Sequence, residues 1–165
     1  MPTHGQPFTL GPGAGATVRN PLGGPITFKL RGEECNGATM VLETEIPPGQ
    51  GPPLHIHPHQ DEWLYVLEGE VRFRTGDRVV PATTGSFAFI PRGVPHCWQN
   101  VGTGPARMLG VIAPAGLERF FERYAQLPEA DQTLDSYRAL GEEGGMTVVG
   151  PPLAKSHPIH ALADA

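Results

Sequence analysis

The sequence predicts an all-β protein, a barrel or jelly roll of short strands, with one or two helices near the C-terminus. Two observations predict the strands: short apolar runs recur along the chain, and 22 glycines and 19 prolines separate them. Short strands of even spacing, bounded by turn residues, are typical of closed all-β folds. Apolar residues at positions i, i+3, i+4 and i+7 predict the first helix. They are Leu117, Phe120, Phe121 and Tyr124.

The clearest predicted strand covers residues 39–46. Apolar and acidic residues alternate there, so that Glu43 and Glu45 lie on the face opposite to Met40 and Leu42. A period of two with carboxylates on one face predicts a half-buried strand. The other predicted strands are 16–19, 26–31, 54–57, 62–67, 70–75, 78–80, 86–90, 95–100 and 106–113.

This pattern divides the chain into an N-terminal arm (1–24), a barrel (25–113) and a C-terminal helical segment with a tail (114–165). A second, weaker helix is predicted at 131–142, where Tyr137 and Leu140 continue an apolar stripe and Gly144 follows as a stop signal. A last strand is predicted at 146–149. We expect the helices to pack on the outer face of the barrel or on a partner subunit.

Composition excludes several functional classes. The net charge is −5 and the few basic residues are scattered, so the basic stripe of a nucleic-acid-binding protein is missing. No apolar run approaches the ~20 residues that a bilayer-spanning helix needs, and the N-terminus lacks the features of a secretion signal. Cys35 and Cys97 have no familiar pairing spacing. A cytoplasmic location, with two unpaired thiols, is therefore expected.

Four residues predict a metal site. His55 and His57 stand at i and i+2 of a predicted strand and so share a face. Glu62 opens the next strand of the same hairpin, and His96 lies on a later strand. Imidazole and carboxylate together suit one divalent transition metal: iron, manganese, nickel, cobalt, copper or zinc. Four protein ligands leave open positions on a metal that accepts five or six.

The spacing of these residues resembles the two sequence motifs of the cupin superfamily. The first motif, G-x5-H-x-H-x3,4-E-x6-G, is matched by Gly49, His55, His57, Glu62 and Gly69. The second, G-x5-P-x-G-x2-H-x3-N, is matched by Gly85, Pro91, Gly93, His96 and Asn100. The resemblance implies a cupin β-barrel with a metal near its centre, bound at His55, His57, Glu62 and His96.

Other residues near these motifs have two interpretations. His59 continues the i, i+2 series but follows Pro58, so a surface position competes with a role at the metal. Trp98 shares the face of His96 and could line the pocket or belong to the core. Arg92 could meet an anionic substrate or lie in solvent. Six further residues are candidates for the pocket wall or for ordinary core: Phe28, Met40, Leu42, Leu64, Phe89 and Leu109.

The layout of the whole chain resembles single-domain bacterial cupins related to quercetin dioxygenases. This likeness implies a metal-dependent dioxygenase that binds dioxygen and a small apolar or aromatic substrate, either flavonol-like or another small enolizable compound. Glu62 would act as catalytic base as well as metal ligand. The alternative is a non-catalytic cupin that binds a metal and a small ligand. A homodimer is expected, with the N-terminal arm and the stripe of Phe120, Phe121 and Tyr124 as interface.

Overall fold

The computed structural model describes residues 5–158, in which strands make up most of the regular structure. The strands are β1 (Ala16–Arg19), β2 (Pro25–Leu30), β3 (Met40–Ile46), β4 (Pro53–Ile56), β5 (Asp61–Glu68), β6 (Glu70–Thr75), β7 (Arg78–Thr83), β8 (Phe87–Ile90), β9 (His96–Asn100), β10 (Ala106–Ala113) and β11 (Thr147–Pro152). The helices are α1 (Glu118–Gln126), α2 (Leu134–Glu143) and α3 (Leu153–Ser156).

The strands form two antiparallel sheets, in the order β1-β2-β3-β10-β5-β8 and β11-β4-β9-β6-β7. The predicted all-β fold is therefore confirmed. The alternation predicted for β3 is confirmed as well, because Met40 and Leu42 are buried while Glu43 and Glu45 lie on the outer face. Glu43 pairs there with Lys29 and Arg107.

The second sheet covers only half of the inner face of the first sheet. In that half, Val66 and Met108 of the first sheet pack against Val71 and Phe73 of the second. In the other half, the C-terminal helices take the place of the second sheet and cover the inner face of β2, β3 and β10. We call residues 117–146, which contain α1 and α2, the helical cap.

The aromatic stripe of α1 is buried inside the chain. Phe120 and Tyr124 are 1% and 7% exposed, and both belong to the cluster that contains Phe28 and Met40 of the barrel. The expectation that the helices pack on the outer face or on a partner was wrong, because the inner face of the first sheet buries their apolar side. The stripe is thus not available as a dimer interface, while the role of the N-terminal arm stays a prediction. No helix in residues 5–158 combines the length and hydropathy needed to cross a bilayer.

Two of the six candidate pocket residues point to solvent. Phe89 is 48% exposed and stacks on Trp63 across the outer face, and Leu109 lies on that face opposite Tyr65. The segments around them are apolar on both faces, so a period of two could not identify the inner one. Four candidates do lie inside, of which Leu42 and Leu64 line the cavity and Phe28 and Met40 pack beneath the cap.

Asn100, at the end of β9, joins the last residue of β3 to the loop that follows β9. Its buried side-chain amide donates to the carbonyl oxygens of Ile46 and Gly104, 2.8 Å each, and accepts from the Gly102 amide at 2.9 Å. We expect Asn100→Ala to lower the free energy of unfolding by about 1–3 kcal/mol, because buried backbone groups lose their partners. Urea denaturation measures this, and an unchanged midpoint would contradict the assigned role.

Candidate metal centre

The four predicted ligands lie together between the two sheets. His55 lies on β4, directly opposite His96 of β9 in the strand register, and His57 follows β4 by one residue. Glu62 reaches the same point from β5 of the first sheet. One potential ligand atom from each residue lies within 4.8 Å of all the others. All four side chains are buried, with exposures between 1% and 4%.

Each imidazole is oriented by a backbone carbonyl that accepts a hydrogen bond from Nδ1. The pairs are His55 with Pro53 (2.8 Å), His96 with Val94 (2.9 Å) and His57 with Gly145 (3.2 Å). A proton on Nδ1 leaves the lone pair on Nε2, and such outer hydrogen bonds orient histidines that bind metals in proteins. The three rings therefore present the nitrogen that a metal would use.

Within the cluster, one buried histidine nitrogen lacks a hydrogen-bond partner. His57 Nε2 makes no hydrogen bond within residues 5–158, and the nearest charge is Glu62 Oε2 at 3.7 Å. A buried polar atom without a partner is unfavourable, so this lone pair indicates that a cation belongs at the centre. Three imidazoles and one carboxylate suit a divalent transition metal, and the residues present thus fit one.

The protonation states agree with this fit. Burial lowers the pKa of His55 well below its usual value, and the charges of His96 and His57 act in the same direction. Burial also lowers the pKa of His57. Burial is the largest single influence on Glu62 and His96 and opposes charge on both. Their mutual hydrogen bond, 2.7 Å from Nε2 to Oε2, and the attraction between their opposite charges together outweigh burial, so that the pKa of Glu62 is lowered and that of His96 is raised. Metal binding would displace the proton shared by this pair.

A small apolar cavity lies beside the cluster. Its volume is about 50 Å³. The barrel contributes apolar side chains that include Leu42, Leu64, Ile112 and Trp98, and the cap contributes Leu117, Phe120, Phe121, Tyr137 and Met146. Asn20 and Thr44 also reach the cavity, but their side chains hydrogen-bond each other at 2.9 Å. The cavity therefore offers an apolar surface next to the cluster.

The contribution of the cap to this site was not predicted from the sequence. Gly145, just after α2, supplies the carbonyl oxygen that orients His57. Gln60 is buried as well and donates from Nε2 to the Pro114 carbonyl at 3.2 Å. A Cβ at position 145 would lie 2.9 Å from Gln60 Oε1, and the φ of +88° also favours glycine there. Gln60 could have been suspected from its place between two ligands, but nothing local to residue 145 indicates its role.

Of the remaining candidate residues, His59 and Arg92 lie apart from the cluster. His59 is exposed, and Arg92 forms an ion pair with Asp61 at 2.7 Å. The hydrogen bond from Arg92 lowers the pKa of Asp61 to about 2. Trp98 lines the cavity, edge-on to the His55 ring at 5.9 Å.

The two cysteines and the other histidines form no second cluster within residues 5–158. Both thiols are free, and burial raises the pKa of Cys97 to about 11. His157 is half-buried near the surface, and His4 and His160 lie outside the described residues.

Comparison with known proteins agrees with the fold. Residues 42–112 match the profile of the cupin domain. Germin-like protein 1-1 from Oryza sativa subsp. japonica is 36% identical over 104 residues, 58% of this chain and 48% of that protein. Quercetin 2,3-dioxygenase from Bacillus subtilis is 26% identical over 123 residues, 73% of this chain and 35% of that protein. This chain therefore spans half or less of the length of these two relatives.

A solved structure shares the architecture. The crystal structure of a predicted oxalate decarboxylase from Thermotoga maritima superposes with a TM-score of 0.54 at 29% identity, covering 60% of this chain and 90% of that one. The matching profile contains all four clustered residues, so the likeness extends to the part of the chain that holds the site.

Proposed function

Because this chain belongs to the cupin superfamily, with its cupin domain at residues 42–112, we propose that it is a metal-dependent dioxygenase acting on a compact, enolizable substrate. The observation that carries the proposal is the buried cluster of His55, His57, Glu62 and His96 beside an apolar cavity. The likeness to quercetin 2,3-dioxygenase supports oxygen chemistry.

Charge balance favours an enolate as the bound form of the substrate. Three neutral imidazoles and one carboxylate would leave a divalent ion with one net positive charge. The cavity walls are largely apolar, so little around the site compensates that charge. A neutral enol that gives up one proton binds as a monoanion and brings the site to neutrality. This argues for an enolizable substrate over a neutral ligand without an acidic proton.

Cavity size favours a compact substrate over a flavonol. The cavity has a volume of about 50 Å³. An engineered apolar cavity that binds benzene has a volume of roughly 150 Å³, about three times as large. A flavonol has three rings, and the cap would have to move away to admit it. A substrate of a few heavy atoms fits after smaller shifts of side chains such as Phe121 and Met146, which line the cavity.

Glu62 and the histidines have separable roles in this proposal. A divalent metal held by the four residues would supply a Lewis acid with open positions for the substrate oxygen. The carboxylate of Glu62, whose Oε2 already shares a proton with His96 Nε2 at 2.7 Å, takes the proton of the substrate hydroxyl. The apolar wall keeps water from the enolate.

The overall reaction needs no external reductant. An enol of the form R–C(OH)=CH–R′ reacts with dioxygen to give the carboxylic acid R–COOH and the aldehyde R′–CHO. The carbon–carbon double bond breaks, the substrate supplies the four electrons, and both oxygen atoms of dioxygen enter the products.

An oxygen electrode tests the proposal directly. Protein loaded in turn with iron(II), manganese(II), nickel(II) and cobalt(II) is mixed with pyruvate, phenylpyruvate or 3-hydroxyflavone, compounds that share an enolizable or enolic carbonyl group. We expect uptake of one O2 per molecule of a compact substrate, with both atoms of isotopically labelled dioxygen in the products, and a lower rate with 3-hydroxyflavone. Absence of uptake with every metal would overturn the dioxygenase assignment.

A second candidate function is binding of a metal and a small ligand without catalysis. The burial of the site favours it, because none of the four clustered side chains is more than 4% exposed and exchange with solvent requires movement of the cap or the lining residues. In the same experiment this alternative predicts stoichiometric metal, saturable ligand binding and no oxygen uptake.

A further inference from the structure

Tyr137 is a polar residue of the cap in the wall of the cavity. It lies on α2, is 8% exposed and lines the same cavity as Glu62. Its ring is held by edge-on contacts with Phe120 and Tyr124, at centroid distances of 4.9 and 5.8 Å. The ring position is thus fixed by packing, and the hydroxyl has a defined place.

The hydroxyl of Tyr137 has no oxygen or nitrogen partner in residues 5–158. Its one hydrogen-bond contact is the thioether sulfur of Met146 at 4.0 Å, which is a weak acceptor at the limit of hydrogen-bond distance. A buried tyrosine hydroxyl ordinarily has a better partner. Packing against Phe120 and Tyr124 accounts for the position of the ring. No residue within 5–158 provides the hydroxyl with a strong hydrogen-bond acceptor.

A second hydrogen-bond donor in the cavity wall also lacks a strong acceptor. Trp98 lines the cavity from β9, and its buried Nε1 has no partner within the described residues. Asn20 and Thr44, also in the wall, satisfy each other. Apart from His57 Nε2, whose lone pair faces the proposed metal position, the unpaired groups of the wall are donors, and their missing partner is an acceptor.

Tyr137 stays a donor over the physiological pH range. Burial raises the pKa of the hydroxyl above its usual value, and the charges of Tyr124 and Glu62 act in the same direction. A protonated hydroxyl can donate to a ligand oxygen without a change of its own charge.

We propose that Tyr137 is a substrate-binding residue whose hydroxyl donates a hydrogen bond to an oxygen atom of the ligand at the metal cluster. The substrate class is then narrower than a compact enol: the ligand carries a further oxygen beyond those that reach the metal. A 2-oxo acid has this chemistry, since a carboxylate oxygen stays free when the carbonyl and the other carboxylate oxygen chelate. This inference rests on the proposed function for the position of the ligand.

Tyr137→Phe tests the inference with Tyr124→Phe as matched control. Both tyrosines are buried in the same aromatic cluster, but Tyr124 does not line the cavity. Cobalt(II)-loaded protein is titrated with pyruvate under argon, and the visible absorption of the metal reports binding. We expect Tyr137→Phe to raise the Kd about 10- to 150-fold, the loss typical of one hydrogen bond to a charged ligand, and Tyr124→Phe to change it less than twofold.

Metal content and thermal unfolding separate this effect from damage to the site. Both variants should keep one equivalent of cobalt and a midpoint close to that of the unchanged protein. A Kd within twofold of the unchanged protein in Tyr137→Phe, an equal loss in both variants, or no binding of pyruvate by the loaded protein would each overturn the inference. Failure of the proposed function is seen separately, as absent oxygen uptake while the Tyr137→Phe effect on binding persists.

Discussion

His57→Ala is expected to remove stoichiometric metal from the protein. The substitution deletes the buried Nε2 lone pair that lacks any partner in the described chain, and it leaves three of the four side chains that we propose to bind the metal. Loss of an outer hydrogen-bond partner alone lowers metal affinity about 10- to 100-fold, so loss of a ligand should exceed that range. We expect less than about 0.1 equivalent of metal after dialysis, measured by elemental analysis.

His59→Ala is the matched control for this experiment. His59 lies two residues away in the same turn, but its side chain is exposed and stands outside the cluster. This variant should retain one equivalent of metal and the unfolding midpoint of the unchanged protein. Full metal retention in His57→Ala, or equal losses in the two variants, would contradict the role assigned to His57.

Phe120→Ala is expected to produce the largest loss of stability. Phe120 is 1% exposed and lies where α1, α2 and the inner face of the first sheet meet. Its ring contacts Phe121, Tyr124 and Tyr137 at centroid distances of 5.0, 6.0 and 4.9 Å. Removal of a fully buried aromatic ring lowers the free energy of unfolding by about 3–5 kcal/mol, which urea denaturation can measure.

Phe87→Ala provides the control on an exposed phenylalanine. Phe87 lies on β8 with 62% of its surface exposed, and its substitution should change the free energy of unfolding by no more than about 0.5 kcal/mol. If Phe120→Ala were as mild as this control, the cap would not be docked on the barrel in solution. The cap would then not form a wall of the cavity.

Much of the barrel could be predicted because its signals are local. The alternation in β3 identifies its buried face, and the turn residues between runs separate the strands. The four clustered residues were also found from spacing, since His55 and His57 must share a face and Glu62 follows in the same hairpin. Strand geometry alone determines these relations.

The location of the cap could not be predicted, because its helical period identifies an apolar side without identifying what that side contacts. The stripe containing Phe120 and Tyr124 suits an outer face, a partner or the mouth of the barrel equally well. The contact of His57 with the Gly145 carbonyl joins residues 88 positions apart, and only the fold brings them together. For the same reason Tyr137 looked like an ordinary helix residue.

Under the proposed function, the cap would contribute both to substrate selection and to the metal site. It supplies Tyr137, Phe120 and Met146 to the cavity wall, and its last residue but one, Gly145, orients His57. A movement of the cap that admits a large ligand would therefore also disturb a metal ligand. This connection gives a structural reason for a compact substrate.

Anomalous diffraction from crystals of the metal-loaded protein tests the central claim most directly. Data collected on both sides of the absorption edge of the bound metal identify the element and its position. We predict a single peak at about 2.0–2.2 Å from Nε2 of His55, His57 and His96 and from a carboxylate oxygen of Glu62. A cluster without a peak in protein that elemental analysis shows to carry metal, or a peak bound by other residues, would contradict the claim.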